Sequence, residues 1–164
     1  YETSACMARI VFSGMLLKLP DMKIITHHLG AMAPFFDERI GLGMDQMGLR
    51  THDEDYVALR KNLGKRPVDY FRMFYADTSV NGSASAMRCG LDFFGSDRVL
   101  FGTDCPFDPE GGPGFIRGNI KAIAKLDLPA SVERKIYYEN AFKMMRMKLA
   151  LSPRGKSTAK AKKK

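Results

Sequence analysis

The stretch IITHHLG, residues 24–30, determines how the whole sequence is interpreted. It begins with β-branched side chains, which favour a buried strand, and it ends at a glycine, which interrupts one. Two of the three histidines in the chain, His27 and His28, stand between the apolar run and that glycine. The sequence therefore predicts a strand over residues 22–28 whose end carries two imidazoles.

Strands and helices alternate outward from this stretch. Further strands are predicted within residues 68–80 and over residues 98–104, and helices over residues 5–21, 33–44, 83–95, 115–126 and 128–150. Ser83 is the predicted N-cap of its helix, and residues 48–66 are predicted to form a loop with one helical turn. Such alternation is typical of parallel βαβ units, so the predicted class is α/β.

Asp104 ends the third predicted strand, within the motif FGTDCPF, as His28 ends the first. The carboxyl ends of parallel strands meet at one edge of a sheet, where ligand-facing residues lie. Each residue alone has a structural explanation, because an aspartate often closes a turn and a histidine often lies at a polar rim. Because His28 and Asp104 both end predicted parallel strands, we expect the two residues to belong to one site.

The composition is that of an ordinary globular domain. The chain has 164 residues, of which 45% are hydrophobic and 27% are charged. No apolar run reaches the roughly 18 residues that a membrane span needs. The three cysteines, Cys6, Cys89 and Cys105, are widely spaced and form no disulfide framework, which favours a reducing, cytoplasmic setting.

The positive charge belongs mainly to the end of the chain. The net charge is +8, from 26 basic and 18 acidic residues, but residues 151–164 contain six basic residues and no acidic one. Without them, 20 basic residues face 18 acidic ones, a net charge of +2. We therefore expect a folded unit over residues 1–150 and a disordered basic tail over residues 151–164, with weak nucleic-acid contacts at most.

Three segments carry a family resemblance. LPDMKIITHHLGAMAPFFDERI (19–40), DRVLFGTDCPFDPEGG (97–112) and SVERKIYYENAFKMM (131–145) resemble the amidohydrolase-related family, which includes aminocarboxymuconate semialdehyde decarboxylase. The match runs over residues 2–148. The resemblance implies a (β/α)8 TIM-type barrel with a single divalent metal at the carboxyl-terminal mouth of its strands.

The resemblance also implies roles for individual residues. His28 matches the family histidine that works beside the metal as proton donor and acceptor, and Asp104 matches the catalytic aspartate that ligates the metal. Arg39 matches an arginine that binds a substrate carboxylate, in some members across a homodimer interface. His27 is expected to support His28 without facing the pore itself, because alternation along a strand turns its side chain away from the pore.

The implied cofactor is one divalent metal ion, with zinc as the first expectation and manganese as the second. The implied substrate is a small carboxylate, and neither a membrane nor nucleic acid is expected as a main partner. A metal lowers the pKa of bound water, and an imidazole can protonate a developing carbanion or a leaving group. Both decarboxylation and hydrolysis need these parts, so the sequence leaves the two reactions open.

Other parts of the family pattern are absent from this sequence. The family carries an H-x-H or E-x-H motif after its first strand, and the remaining histidine here is His52, in THDED. Three strands are predicted where a barrel has eight. We therefore expect the C-terminal portion of a barrel, about strands six to eight, which alone is inactive. The alternative is a catalytically incomplete module that binds partners through its basic tail.

Overall fold

A computed structural model describes residues 1–49 and 53–148 of the chain. Within these residues a small parallel sheet lies among helices, which confirms the predicted α/β class. The strands are β1 (Ile25–Thr26), β2 (Tyr75–Asp77) and β3 (Val99–Leu100). The α-helices are α1 (Glu2–Phe12), α2 (Met15–Lys18), α3 (Asp37–Asp45), α4 (Tyr56–Leu63), α5 (Pro67–Phe71), α6 (Ala84–Phe94), α7 (Pro113–Lys125), α8 (Ala130–Arg134) and α9 (Asn140–Met144).

The sheet has the strand order β1-β2-β3, and both pairings are parallel. Thr26 lies opposite Ala76, which in turn lies opposite Val99. Each strand is shorter than the segment predicted for it, and within the described residues β1 and β3 each pair with β2 alone. The order places the carboxyl ends of all three strands at one edge.

The core lies between this sheet and the helices around it, including α1, which precedes the first strand. Its largest fully buried side chains include Met7 of α1, Phe71 of α5, Phe74, Met87 of α6 and Ile123 of α7. Burial of a large apolar side chain contributes roughly 1.5–3 kcal/mol, so these contacts dominate the stability of the unit. The strands that carry the candidate site at their ends are therefore held in place by a packed core.

Two regions differ from the predicted elements near the amino-terminal side. The helix predicted over residues 5–21 is divided between α1 and α2, because Gly14 adopts a left-handed backbone with φ of 71°. The helical turn predicted within the loop of residues 48–66 is the longer helix α4, whose start is capped by the Asp55 carboxylate accepting from the Ala58 N–H at 2.9 Å. Local capping outweighed the polar composition that favoured a loop.

The last predicted helix is also divided. Residues Lys135–Glu139 form a π-helical turn between α8 and α9. This wider turn lets the Ile136 carbonyl accept a hydrogen bond from the Phe101 N–H at 2.9 Å, next to β3. Asn140 is buried and donates to the carbonyls of Ser96 and Val99 at 2.7 and 2.8 Å. The last helical segment is thus bonded to the chain around β3.

No helix within residues 1–49 and 53–148 has both the length and the apolar character that crossing a membrane requires. The basic tail and His52 lie outside the described residues. Their predicted roles, including the disorder of residues 151–164, stay predictions.

Candidate metal and acid–base site

The strand ends bring four polar side chains to one place. His27 and His28 follow β1, Asp77 is the last residue of β2, and Asp104 follows β3 by four residues. The structure therefore places His28 and Asp104, the two residues that the sequence singled out, in one cluster with His27. Because parallel strands end at the same edge, the topology brings these chain segments together.

His28 is held at two points. Its backbone N–H donates to Asp77 Oδ1 at 2.9 Å, and its ring Nδ1 lies 2.6 Å from the Ser79 carbonyl oxygen. A carbonyl can only accept a hydrogen bond, so Nδ1 carries the proton. The neutral ring then has its lone pair on Nε2, the atom that remains available for acid–base work or for a metal.

His27 contacts two carboxylates. Its Nδ1 is hydrogen-bonded to Asp77 Oδ2, and its Nε2 lies 3.3 Å from Asp104 Oδ1. Partial burial lowers the pKa of His27, but hydrogen bonds and negative charge from Asp77 and then Asp104 outweigh burial and raise that pKa above its ordinary value of 6.5. The cluster therefore attracts positive charge.

The position of His27 differs from the expectation that strand alternation turns it away. His27 itself is still extended, with φ of −83° and ψ of 159°, but the ladder of β1 ends at Thr26 and His28 has a left-handed backbone with φ of 52°. Alternation of side chains holds only while the backbone is extended. Both imidazoles consequently lie at the strand ends, with ring centroids 3.9 Å apart.

The donor set fits a divalent cation. His27, His28 and Asp104 each offer one ligand atom, and these atoms lie within 4.8 Å of one another. Ligand atoms that share one ion at about 2.0–2.2 Å lie at most about 4.4 Å apart. The pair formed by His27 Nε2 and Asp104 Oδ1, 3.3 Å apart, satisfies this limit, and the 4.8 Å that bounds the whole set is close to it.

Left-handed backbone conformations are concentrated in the loop that carries His28. His28, Leu29 and Ala31 have φ values of 52°, 50° and 52°, and Asp104 has a φ of 60°. Such conformations cost about 1–2 kcal/mol per non-glycine residue. They persist where neighbouring structure imposes them, and they occur often at functional sites.

Contacts from two helices hold this loop. Ser4 of α1 donates through Oγ to the Gly30 carbonyl at 3.1 Å and accepts from the Met32 N–H at 2.9 Å. Leu29 is buried against Gly90 of α6, where a methyl group would lie 2.7 Å from the leucine Cδ2 atom. Packing and hydrogen bonds together offset the strain of the loop.

An apolar groove of about 400 Å³ adjoins His28. Its wall includes Leu29, Pro34, Phe35 and Val80, and Phe35 exposes 77% of its surface. Grooves of roughly 300–1,000 Å³ with apolar walls are typical of small-molecule sites. An imidazole at the rim of such a groove can reach a ligand that fills it.

Arg39 does not line the groove beside His28. It lines a second groove, of about 520 Å³, between α1 and α3, with Ala8 and Phe36 among its neighbours. Neither His28 nor Asp104 lines that groove. The structure therefore does not bring Arg39 together with the cluster of His27, His28 and Asp104, and its substrate role stays a prediction.

Two residues of the site were not selected from the sequence as site residues. Asp77 contacts both histidines, and the Ser79 carbonyl fixes the ring of His28. Asp77 ends a strand as Asp104 does, and that shared position is the signal that could have identified it. The Ser79 contribution comes from the backbone, which no residue pattern encodes.

Comparison with known proteins identifies the family. The family model described as Amidohydrolase matches residues 3–147, and the chain therefore belongs to the amidohydrolase family. Among curated relatives, gamma-resorcylate decarboxylase of Polaromonas sp. strain JS666 is 35% identical over 108 residues, which cover 65% of this chain and 31% of the relative. The chain thus spans about a third of the length of that relative.

Solved structures show the same fold. Dihydroxybenzoic acid decarboxylase from Polaromonas sp. JS666, with bound manganese and the inhibitor 2-nitroresorcinol, has a TM-score of 0.67 and 25% identity, and the match covers 87% of this chain and 39% of that chain. The apo form of Metarhizium anisopliae IDCase has a TM-score of 0.71 at 24% identity, with 88% and 39% covered. The small parallel sheet fits amidohydrolase barrels of this kind.

Proposed function

We propose that this chain carries the metal-binding and proton-transfer residues of a metal-dependent decarboxylase that acts on a small aromatic carboxylate. The observation that carries the proposal is the convergence of His28 and Asp104, at the ends of β1 and β3, in one cluster of potential metal ligands. Decarboxylation is favoured over hydrolysis because the similar proteins are named as decarboxylases of aromatic acids. Binding through the basic tail has no comparable support.

Asp104 is the proposed ligand of one divalent ion, with the cluster histidines beside it. Manganese replaces zinc as the first choice, because a similar structure contains manganese and because a carboxylate is a ligand that manganese accepts readily. A bound ion would supply Lewis-acid stabilisation of negative charge on the oxygen atoms of the substrate.

His28 is the proposed acid. In its protonated form, Nε2 would deliver a proton to the ring carbon that bears the carboxylate. The bond between that carbon and the carboxylate breaks, CO₂ leaves, and the electron pair that stays on the carbon takes up the proton. The hydrogen bond from Nδ1 to the Ser79 carbonyl orients the ring so that Nε2 is the transferring atom.

The groove beside His28 is the proposed binding place of the aromatic ring. Its apolar wall, which includes Leu29, Phe35 and Val80, suits the flat hydrocarbon face of an aromatic ring. Arg39 lines a different groove, so we propose that it binds a carboxylate at the site of a second copy in a homodimer.

The three strands are proposed to correspond to about strands six to eight of an amidohydrolase barrel. The support is that β1 and β3 each pair with β2 alone, and that the match covers 39% of the manganese-containing relative. The other metal ligands of the family would then come from barrel strands other than these three.

A chimera tests the proposal without assuming which strands accompany these residues. Residues 3–147 would replace the structurally corresponding segment of the Polaromonas dihydroxybenzoic acid decarboxylase, whose match covers 87% of this chain, and CO₂ release from 2,6-dihydroxybenzoate and from 6-methylsalicylate would be measured with Mn²⁺. We expect turnover of one of these acids, and loss of that turnover on Asp104→Asn in the same chimera. A folded, manganese-containing chimera that decarboxylates no aromatic acid would contradict the proposal.

A further inference from the structure

The Asn119 side chain joins the two loops that follow β2 and β3. Asn119 lies on α7 and is completely buried, with an exposed fraction of 0%. Its Oδ1 accepts from the backbone N–H of Gly82 at 3.0 Å, and its Nδ2 donates to the Gly102 carbonyl at 2.9 Å. One amide group therefore connects loops that start from different strands.

Each of these loops carries a part of the candidate site. The loop after β2 contains Ser79, whose carbonyl oxygen lies 2.6 Å from Nδ1 of His28. The loop after β3 contains Asp104. The bonds of Asn119 meet the first loop three residues after Ser79 and the second loop two residues before Asp104. A change in the spacing of the two loops would therefore change the distance between His28 and Asp104.

The Gly102 peptide is held from two sides. The hydroxyl of Thr78, directly after β2, donates to the Gly102 carbonyl at 2.8 Å and accepts from the Gly102 N–H at 3.1 Å. A carbonyl oxygen has two lone pairs, so it accepts from Thr78 and from Asn119 together. Thr78 binds the loop to the end of β2, whereas Asn119 binds the same loop to α7. Both bonds are needed to define where the loop lies.

The absence of a side chain at Gly82 lets α7 approach the loop after β2. Gly82 has a left-handed backbone with φ of 78°, and an added methyl group would lie 3.0 Å from the backbone carbonyl of Gly118 on α7. A side chain at position 82 would push the helix away and lengthen the bond between Gly82 and Asn119. The close approach of the two backbones thus allows the short asparagine side chain to reach both loops.

We propose that Asn119 is a positioning residue of the site, which sets the spacing between the loop of Asp104 and the loop that orients His28. The inference rests on the proposed function, in which Asp104 binds the metal and His28 transfers the proton. An amide suits this place because it donates on one side and accepts on the other. An ionised carboxylate only accepts, so Asn119→Asp keeps the bond to the Gly82 N–H and replaces the bond to the Gly102 carbonyl by repulsion.

Amide hydrogen exchange in the native, metal-free chain tests the buried bond directly. Because the Gly82 N–H donates to a completely buried side chain, its exchange requires opening of the contact with α7. We expect this N–H to exchange at least about 100-fold more slowly than an amide of an unfolded peptide. Exchange at the unfolded rate would overturn the inference, and this result needs no substitution.

Asn119→Asp should separate the two loops in the metal-free chain at pH 8. We expect the NMR amide signals of residues 102–104 to shift, whereas the Gly82 N–H stays protected and the His28 ring keeps its signals. Asn119→Ala removes both bonds and should shift the signals of both loops. If the Asp104 amide signal stays unchanged in both variants, the inference is overturned.

Asn62→Asp is the matched control for the new charge, because Asn62 is an exposed asparagine on α4. This substitution should shift the signals of neither loop. Shifts of the Asp104 amide as large in Asn62→Asp as in Asn119→Asp would show that charge alone moves the signal, and the inference would be overturned.

The effect on the reaction is measured in the chimera described above, well below its melting temperature and per folded enzyme. A residue that acts on stability alone would leave both kcat and KM unchanged under these conditions. We expect Asn119→Asp to lower kcat about 10- to 100-fold, because the proposed metal ligand is displaced, and to change KM less than about 3-fold, because the groove beside His28 stays in place. An unchanged kcat would overturn the role of Asn119 in the site. A native chimera without turnover contradicts the proposed function, and the exchange and NMR results then decide whether Asn119 sets the spacing of the loops.

Discussion

At the scale of single residues, the candidate site combines strained backbone with fixed side chains. His28, two residues after β1, and Asp104, four residues after β3, both adopt left-handed conformations, and His28 is held by Asp77 and by the Ser79 carbonyl. A regular strand would carry these side chains to alternate faces of the sheet. The strained turns instead direct them to the edge where the strands end.

The sequence could identify His28 and Asp104 because each follows an apolar run that ends at a sheet edge. It could not identify the arrangement of His27, because that depends on where the ladder of β1 stops. Asp77 ends a strand as Asp104 does, but a strand-end aspartate is equally suited to a turn, so the sequence left its role open. Contacts between strands decide these points, and residue spacing does not encode them.

Asp104→Asn and His28→Gln should impair the site in different ways. The first change removes the charge of the proposed ligand, so affinity for Mn²⁺ should fall at least about 10-fold. The second removes the proposed acid, so turnover in the chimera should fall about 100-fold or more while Asp104 continues to hold the metal. Calorimetry and CO₂ release measure the two effects. Equal loss of metal in both variants would contradict the division of roles.

Asp108 should make stability depend on pH in the acid range. Burial raises its pKa, but backbone N–H groups, including those of Phe115 and Glu110, outweigh burial and hold the pKa below its ordinary value of 3.8. A depressed pKa means that the carboxylate stabilises the fold above about pH 3.8, and that this contribution is lost as the pH falls through the lower, folded-state value.

The difference in melting temperature between the native chain and Asp108→Asn measures this effect. We expect the native chain to be the more stable at pH 7, and the difference to shrink as the pH falls below about 4. Asp92→Asn, exposed on α6, should show no such convergence. A difference that is constant from pH 7 to pH 3 would show that the charge of Asp108 does not stabilise the loop before α7.

At the scale of elements, the alternation of strands and helices was predictable, and the ends of the helices were less so. The N-cap of α6 was confirmed, since the Ser83 hydroxyl accepts from the Ala86 N–H at 3.3 Å. The division of the first predicted helix follows from the backbone at Gly14, and the π turn of Lys135–Glu139 follows from its bond to Phe101. Such tertiary hydrogen bonds leave no periodic signal.

Gly90→Ala should show how α6 supports the loop of His28. The new methyl group would lie 2.7 Å from Leu29 Cδ2, and Leu29 is already buried. Overpacking of this kind destabilises by about 1–3 kcal/mol, measurable by denaturant unfolding. The displaced loop should also shift the NMR signals of the His28 ring.

Gly43→Ala is the matched control for Gly90→Ala, because Gly43 also lies within a helix, α3, and an added methyl group meets no atom within 4 Å. This change should stabilise the chain by roughly 0.5–1 kcal/mol through helix propensity. Equal effects of the two substitutions would show that helix propensity, and not contact with Leu29, governs position 90.

At the scale of the whole molecule, the two ends of the sheet are not equivalent. Next to β3, the Phe101 N–H is bonded to the Ile136 carbonyl, and Asn140 donates to the Val99 carbonyl. At the other end, Ile25 of β1 exposes 48% of its surface and lies beside a groove lined by Met7 and Ile10 of α1. Among the described residues, β1 is therefore the edge open to a further strand.

Ile25→Lys tests whether this edge drives association of the 164-residue chain. An unpaired strand edge with exposed apolar neighbours favours pairing with another chain, and a lysine on the edge opposes it. We expect the native chain to form dimers or larger species with rising concentration in analytical ultracentrifugation, and Ile25→Lys to reduce that association. Val57→Lys on α4, at 49% exposure, matches the change in charge and exposure away from the edge and should leave association unchanged. A native chain that stays monomeric at every concentration and melts in one sharp transition would show that the β1 edge is closed in solution.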